Sequence, residues 1–142
     1  MIEYNKAIEK LSTYLDNKGW YLARGNFDAY FHEDKTVVYN YKLRNKDNRI
    51  YSILHEIGHH LAFTGNRKAY QRKFPILFKQ RFGEGKQNKN SNRYRMESII
   101  EEHDAWKRGE RLAKKLNLDI DSDKYYTYAS RWVKSYYDGE ME

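Results

Sequence analysis

Two histidines and a glutamate near the middle of the chain have the types and spacing of a hydrolytic metal site. His55, Glu56 and His59 form the pattern H-E-x-x-H. On an α-helix, with about 3.6 residues per turn, His55 and His59 stand one turn apart on one face. Both imidazoles can therefore bind one ion, and the pattern predicts His55 and His59 as metal ligands.

Glu56 occupies the position expected of a general base. It is rotated about 100° around the helix from His55, which places its carboxylate beside the ion rather than on it. Zinc held by three protein ligands lowers the pKa of a bound water towards about 7, and a neighbouring carboxylate can then take the proton. The pattern thus predicts metal-assisted hydrolysis, with Zn²⁺ as cofactor and Glu56 as the catalytic residue.

The residues around the motif favour this interpretation over a chance match. Apolar side chains recur at helical spacing through the segment, at Ile50, Ile53, Leu54, Ile57, Leu61 and Ala62. Unpaired His and Glu side chains are costly to bury on such a helix. A bound metal would give these polar groups a partner.

Composition narrows the class of protein. A chain of 142 residues is long enough for one core, so we expect a single domain over residues 1–142. Because the chain has no Cys, it has no thiolate ligand and no disulfide, and any metal must be held by His and carboxylates. Neither a long apolar stretch nor a signal-peptide pattern is present, so we expect a cytoplasmic protein without a membrane partner.

The first half of the chain predicts a helix, a sheet and then the motif helix. Residues 2–17 have an amphipathic helical pattern, and three short β-prone runs follow at 20–23, 27–32 and 36–41. Turn signals between the runs indicate a small antiparallel sheet. The order of a helix, strands and then the motif helix resembles a minimal zincin core, and this resemblance implies that residues 36–41 form the edge strand for an extended peptide. Asp47 or Asn48 is the expected cap of the motif helix, which should end near Phe63.

The second half predicts further helices. A short helix is expected within residues 70–82, a loop at 83–92, a strong helix at 95–116 and a final helix from Ser122 or Asp123. Residues 138–142 should form a frayed tail. The apolar positions assigned to the strong helix include Met96, Ile99 and Ile100. Together the elements predict an α+β fold with two C-terminal helices.

A third ligand is expected on the strong helix. A catalytic zinc needs three protein ligands and one open position. The pattern H-E-x-x-H-x-x-G-x-x-H of metzincins is excluded by Ala62 and Gly65, and peptide deformylase requires a Cys ligand. At about 100° per residue, Glu102 faces the same way as the apolar positions from Ala105 onwards. Glu102 is therefore the predicted ligand, with Glu101 and then His103 as alternatives.

At this point the sequence resembles a family. His55 to His59, followed by Glu102-His103-Asp104-Ala105-Trp106, is similar to the small zincin-like metallopeptidase domains of phage and bacterial genomes. These domains are related in pattern to the gluzincins and to antirepressor-cleaving phage-type proteases. The resemblance implies a zincin-like fold, peptide-bond hydrolysis of a protein or peptide substrate, and a place for Asp104 next to the ligands.

A basic segment separates the two motifs and suggests an alternative function. Residues 67–95 contain many Lys and Arg but one acid, Glu84, within a chain whose net charge is +7. Such a segment can attract nucleic acid, and its interleaved aromatic residues could stack on bases or pack internally. The alternative is therefore a basic nucleic-acid-binding or interaction module, with its metal structural or absent.

Overall fold

The order of elements follows the α+β prediction. The computed structural model describes residues 2–81 and 91–137. An N-terminal helix and a small sheet precede the helix that carries the H-E-x-x-H motif, and further helices follow it. The elements are α1 (Tyr4–Asp16), β1 (Tyr21–Gly25), β2 (Ala29–Phe31), β3 (Thr36–Asn40), α2 (Lys46–Gly65), α3 (Arg67–Lys73), α4 (Pro75–Arg81), α5 (Asn92–Lys115) and α6 (Ser122–Tyr137).

The motif helix α2 lies at the centre of the fold. It begins one residue after Asn45, whose side-chain oxygen accepts a hydrogen bond from the Asn48 backbone N–H at 3.2 Å. The N-cap is therefore Asn45 and not Asp47 or Asn48. Every residue from Ile50 to His60 is buried, because α1, the sheet, α3, α5 and α6 all contact this helix. Because neighbouring elements cover this helix on most sides, most of its side chains have to be apolar, and the polar side chains of the motif need partners.

The sheet is mixed, and this corrects the prediction of an antiparallel sheet. Its strand order is β1-β3-β2, with β2 antiparallel to β3 and β1 parallel to β3. Tyr21 lies opposite Thr36, while Phe31 lies opposite Thr36 from the other side. The prediction of residues 36–41 as an edge strand is wrong, because β3 is the central strand. Of the two edge strands in the described part of the sheet, β2 is the one that contacts α2.

The segment after α2 forms two short helices where one was predicted within residues 70–82. They meet at Phe74, which has φ −129° and ψ 63° and so leaves the helical region. Proline disfavours helical backbone in the residue before it and suits the first position of a helix, so Pro75 ends one helix and begins the next. Ser91 caps α5 and Asn92 begins it, whereas the rest of the predicted 83–92 loop and the predicted frayed tail lie outside the described residues.

Two glycines allow α2 and α5 to approach closely. A Cβ atom on Gly58 would lie 2.0 Å from the Ala105 carbonyl oxygen, and one on Gly109 would lie 2.7 Å from the Leu54 carbonyl oxygen. Either distance is shorter than a van der Waals contact, so only the missing side chains permit this crossing. The close approach brings the side chains of His55 and His59 against those of α5.

Apolar side chains form two clusters in the described part of the chain. The larger joins α1, the sheet, α2, α5 and α6, and includes Leu11, Val37, Ile53 and Trp106. The smaller joins the end of α2 to α3, α4 and the start of α5, and consists of Phe63, Tyr70, Phe74, Leu77 and Tyr94. No helix within residues 2–81 and 91–137 combines the length and the apolar character needed to span a membrane.

Candidate metal centre

The structure brings His55, His59 and Glu102 together between α2 and α5. His55 Nε2 lies 2.7 Å from Glu102 Oε2, and His59 Nε2 lies 2.8 Å from Glu102 Oε1. The possible ligand atoms of the three residues all lie within 4.8 Å of one another. One carboxylate therefore faces the Nε2 atoms of both histidines, which is the donor set that the sequence predicts.

The charges in this group stabilise one another. Burial alone raises the pKa of Glu102, which is 3% exposed, but the charges and hydrogen bonds of His55 and His59 hold it well below its usual value. Burial lowers the pKa of His59, but Glu102 and Glu101 outweigh burial and raise it well above 6.5. An ionised carboxylate only accepts hydrogen bonds, so both Nε2 atoms donate to Glu102 when the site is metal-free.

Glu56 lies beside the group without joining it. Its Oε1 is 3.6 Å from His55 Nδ1, too far for a hydrogen bond, and the residue is 8% exposed. Burial raises the pKa of the Glu56 carboxyl, with His55 and His59 opposing this and the negative charges of Glu102 and Asp28 adding to it. A carboxylate with a raised pKa is a better proton acceptor, as a general base requires.

The alternative ligands occupy different places. Glu101 is buried against the other edge of the His59 ring, with its Oε1 3.0 Å from Nδ1, and its Oε2 accepts a hydrogen bond from Tyr70. His103 is exposed on α5. Asp104 accepts a hydrogen bond from Arg108 one turn later, at 2.9 Å. The structure therefore brings Glu101 to His59, one of the predicted ligands, whereas His103 and Asp104 make no described contact with the group.

Aromatic rings hold the two histidines in place. The Trp106 ring stacks on His55 with centroids 4.0 Å apart and planes inclined by 7°, and the Tyr30 ring lies nearly parallel to His59 at 6.3 Å. Sequence reasoning assigned neither ring to the site. Trp106 was recognisable as an apolar position one turn after Glu102, but Tyr30 reaches His59 only through the sheet arrangement, for which the sequence has no local signal.

The basic segment is charged on its surface and aromatic inside. Arg67, Lys68, Arg72 and Lys73 on α3 are exposed. The described aromatic residues of the segment are Tyr70, Phe74, Phe78 and Tyr94, of which Tyr70, Phe74 and Tyr94 are at most 5% exposed and Phe78 packs against their cluster. These rings pack internally, so the segment offers positive charge to a partner but not these rings for base stacking.

Comparison of the chain with family models, with curated proteins and with solved structures finds no match. The resemblance to zincin-like metallopeptidases therefore rests on the two motifs. The geometry of His55, His59, Glu102 and Glu56 is the basis for any functional proposal.

Proposed function

We propose that this protein is a zinc-dependent metallopeptidase that hydrolyses peptide bonds in a protein or peptide substrate. The observation that carries the proposal is the convergence of the His55, His59 and Glu102 side chains with Glu56 beside them. A further buried carboxylate next to three possible ligands is costly unless a positive charge offsets it, and such clusters of perturbed carboxylates are typical of functional sites. A catalytic metal gives all four residues a role.

The donor set fits zinc. Two imidazoles and one carboxylate leave a fourth position open, as catalytic zinc sites do. Ligand atoms bound to zinc at about 2.0–2.2 Å in a tetrahedron are about 3.3 Å apart. The present contacts of 2.7 and 2.8 Å are shorter than this, so the Glu102 side chain would have to move away from both histidines to admit the ion.

Each residue then has a defined task in hydrolysis. Zinc, when bound, supplies a Lewis acid that acidifies water and polarises the substrate carbonyl. Glu56 accepts a proton from the attacking water as the new C–O bond forms, and it delivers that proton to the amide nitrogen as the C–N bond breaks. Trp106 and Tyr30 fix the imidazole planes and keep bulk water from the ligands.

The position of β2 supports a peptide as the substrate. β2 is an edge strand, and its Tyr30 side chain lies against His59. An extended peptide can add to an open strand edge through backbone hydrogen bonds, whatever its side chains are. We infer that β2, and not β3 as the sequence suggested, holds the substrate beside His59.

Nucleic-acid binding remains the second candidate function. The exposed Arg and Lys side chains of α3 favour it, since clustered positive charge attracts phosphate. The burial of Tyr70, Phe74 and Tyr94 removes the base-stacking contribution that the sequence left open. An affinity for single-stranded DNA that falls steeply with rising salt concentration would support this candidate function. That affinity should be the same in Glu56→Gln as in wild type.

The proposal is tested by metal content and cleavage together. Wild type, Glu56→Gln and Glu102→Ala are analysed for zinc after dialysis without chelator, and each is incubated with an unbiased peptide library read by mass spectrometry. We expect about one zinc per chain in wild type and Glu56→Gln, most of it lost in Glu102→Ala. Cleavage by wild type should fall at least about 100-fold in Glu56→Gln.

Asp104→Asn is the matched control, because Asp104 is a carboxylate on α5 that pairs with Arg108 outside the group. It should keep both zinc and cleavage. A wild-type protein that takes up no zinc would contradict the metal site, and a zinc-loaded protein that cleaves no peptide in the library would contradict the peptidase function.

A further inference from the structure

A chain of hydrogen bonds runs from α3 to the predicted ligand His59. Tyr70 donates from its hydroxyl to Glu101 Oε2, and Glu101 Oε1 lies 3.0 Å from His59 Nδ1. The three residues belong to α3, α5 and α2 in turn. The Nδ1 edge of the His59 ring is therefore held by a carboxylate that is itself held by a phenol.

Burial keeps the partners in this series of hydrogen bonds constant. Glu101 and Tyr70 are 5% and 4% exposed, so neither side chain exchanges its partner freely with water. The Tyr70 ring packs edge-on against Phe63, with ring centroids 5.4 Å apart, and at a tilt against Phe74, with centroids 5.1 Å apart. The aromatic cluster thus aims the Tyr70 hydroxyl at Glu101.

Both Glu101 oxygens are engaged away from the metal position. Oε1 faces Nδ1, on the opposite edge of the His59 ring from the Nε2 atom that faces Glu102. Oε2 accepts from Tyr70. Glu101 is therefore unsuited to be the third ligand, although the sequence ranked it second.

We propose that Glu101 and Tyr70 are positioning residues of the metal centre, an inference that rests on the proposed function. Glu101 holds the proton of His59 on Nδ1, which leaves Nε2 as the ligand atom and makes the ring a stronger donor. A carboxylate on the far nitrogen of a ligand histidine fixes both its tautomer and its orientation. Tyr70 fixes Glu101 in turn, which makes α3, in the basic segment, part of the site.

Zinc affinity measured by competition with a chromophoric chelator tests the inference. We expect Glu101→Ala to weaken zinc binding about 10- to 100-fold and Glu101→Gln to recover part of the loss, because the amide keeps one acceptor oxygen. Tyr70→Phe should cause a smaller loss, since Glu101 remains. The double variant Tyr70→Phe/Glu101→Ala should bind no more weakly than Glu101→Ala, because Tyr70 acts through Glu101.

The chain offers matched controls for both residues. Glu97 is a buried carboxylate one turn before Glu101, but it accepts hydrogen bonds from the backbone N–H groups of Ile76 and Leu77 and not from a histidine. Tyr94 is a buried tyrosine of the same aromatic cluster as Tyr70. Glu97→Ala and Tyr94→Phe should change stability but leave zinc affinity within about twofold of wild type.

A second readout follows the ring itself. In zinc-loaded wild type, the ¹⁵N shifts of His59 should show a protonated Nδ1 and a metal-bound Nε2. In Glu101→Ala the Nδ1 proton should lose the chemical shift that is typical of a hydrogen-bonded proton. In Glu97→Ala its chemical shift should match that of wild type. A purely structural role for Glu101 would not separate these two variants.

The outcomes distinguish this inference from the proposed function. Wild type without zinc would overturn both. Zinc binding by wild type with unchanged affinity in Glu101→Ala and Glu101→Gln would overturn the positioning role alone. Equal losses in Glu101→Ala and Glu97→Ala would also overturn it, because the effect would then come from general loosening of α5.

Discussion

His59 has a partner at each ring nitrogen, and this determines its charge in the metal-free protein. Nδ1 faces Glu101 and Nε2 faces Glu102, at 3.0 and 2.8 Å. A ring that donates from both nitrogens to carboxylates is an imidazolium. This agrees with the raised pKa of His59, in which the two carboxylates outweigh the opposing effect of burial.

Zinc binding should therefore release a proton from His59. Glu102 and Glu101 raise the pKa of the ring well above its ordinary value and so favour its protonated form, whereas zinc binds only the neutral ring. Apparent zinc affinity should rise as the pH rises towards that pKa. Calorimetry at pH 7 in two buffers of different ionisation enthalpy should give a release of at least about one proton per ion. Binding enthalpies that are identical in both buffers would contradict this expectation.

Residue types and spacing were enough to predict which side chains converge. His55 and His59 follow from the motif, and Glu102 follows from the apolar direction of its helix. The role of Glu101 beside His59 did not follow, because its other partner, Tyr70, is 31 positions away. A periodic pattern describes one helix at a time, so it contains no information about a hydrogen bond between helices.

Three carboxylates of α5 point inward, whereas two of its apolar side chains point outward. Glu97, Glu101 and Glu102 are buried, whereas Met96 and Ile100, which the sequence assigned to the packing face, are 61% and 43% exposed. Each buried carboxylate meets polar groups from another helix: the start of α4 for Glu97, and Tyr70 or the histidines for the others. These partners outweigh the local apolar pattern, which is why the exposure of Met96 and Ile100 could not be predicted from α5 alone.

The crossing of α2 and α5 should not tolerate a methyl group at Gly58. The Cβ of Gly58→Ala would lie 2.0 Å from the Ala105 carbonyl oxygen, so the helices must separate. We expect a loss of about 1–3 kcal/mol in the free energy of unfolding. Zinc affinity should fall as well, because Glu102 moves away from His55 and His59. Chemical denaturation and chelator competition measure the two effects.

Gly65→Ala is the matched control for this variant. It lies on the same helix, and a Cβ there would meet no atom within 4 Å. Its stability should equal or slightly exceed that of wild type, since alanine favours helix more than glycine does. If Gly58→Ala proved as stable as Gly65→Ala, the two helices would have to pack less closely than they do here.

At the scale of the whole molecule, the order of elements was predictable and the sheet topology was not. Turn signals between short strands suggested consecutive hairpins, but β1 pairs with β3 in parallel and β2 occupies the far edge. Two parallel strands cannot be joined by a tight turn and need a longer connection. Here β2 is part of the connection between β1 and β3. Strand pairing depends on distant partners, so a list of strands does not determine it.

Bound zinc should raise the melting temperature of the whole protein. An ion that binds only the folded state stabilises it by about 2.7 kcal/mol at 100 times its dissociation constant. For a chain of this size we expect an increase of about 5–10 °C, reversed by chelator. His55→Ala, which removes one predicted ligand, should show no increase, and magnesium should have no effect on wild type. A melting temperature that does not respond to zinc would contradict the site.

The predicted ligands come from two helices that are far apart in the sequence, and this affects how an ion would connect the chain. His59 and Glu102 are 43 positions apart, so an ion held by both closes a large loop in a chain that has no cysteine for a covalent cross-link. Keeping such a loop closed in the unfolded state would cost about 4 kcal/mol of chain entropy. Unfolding of the chain and release of the ion should therefore be one coupled event.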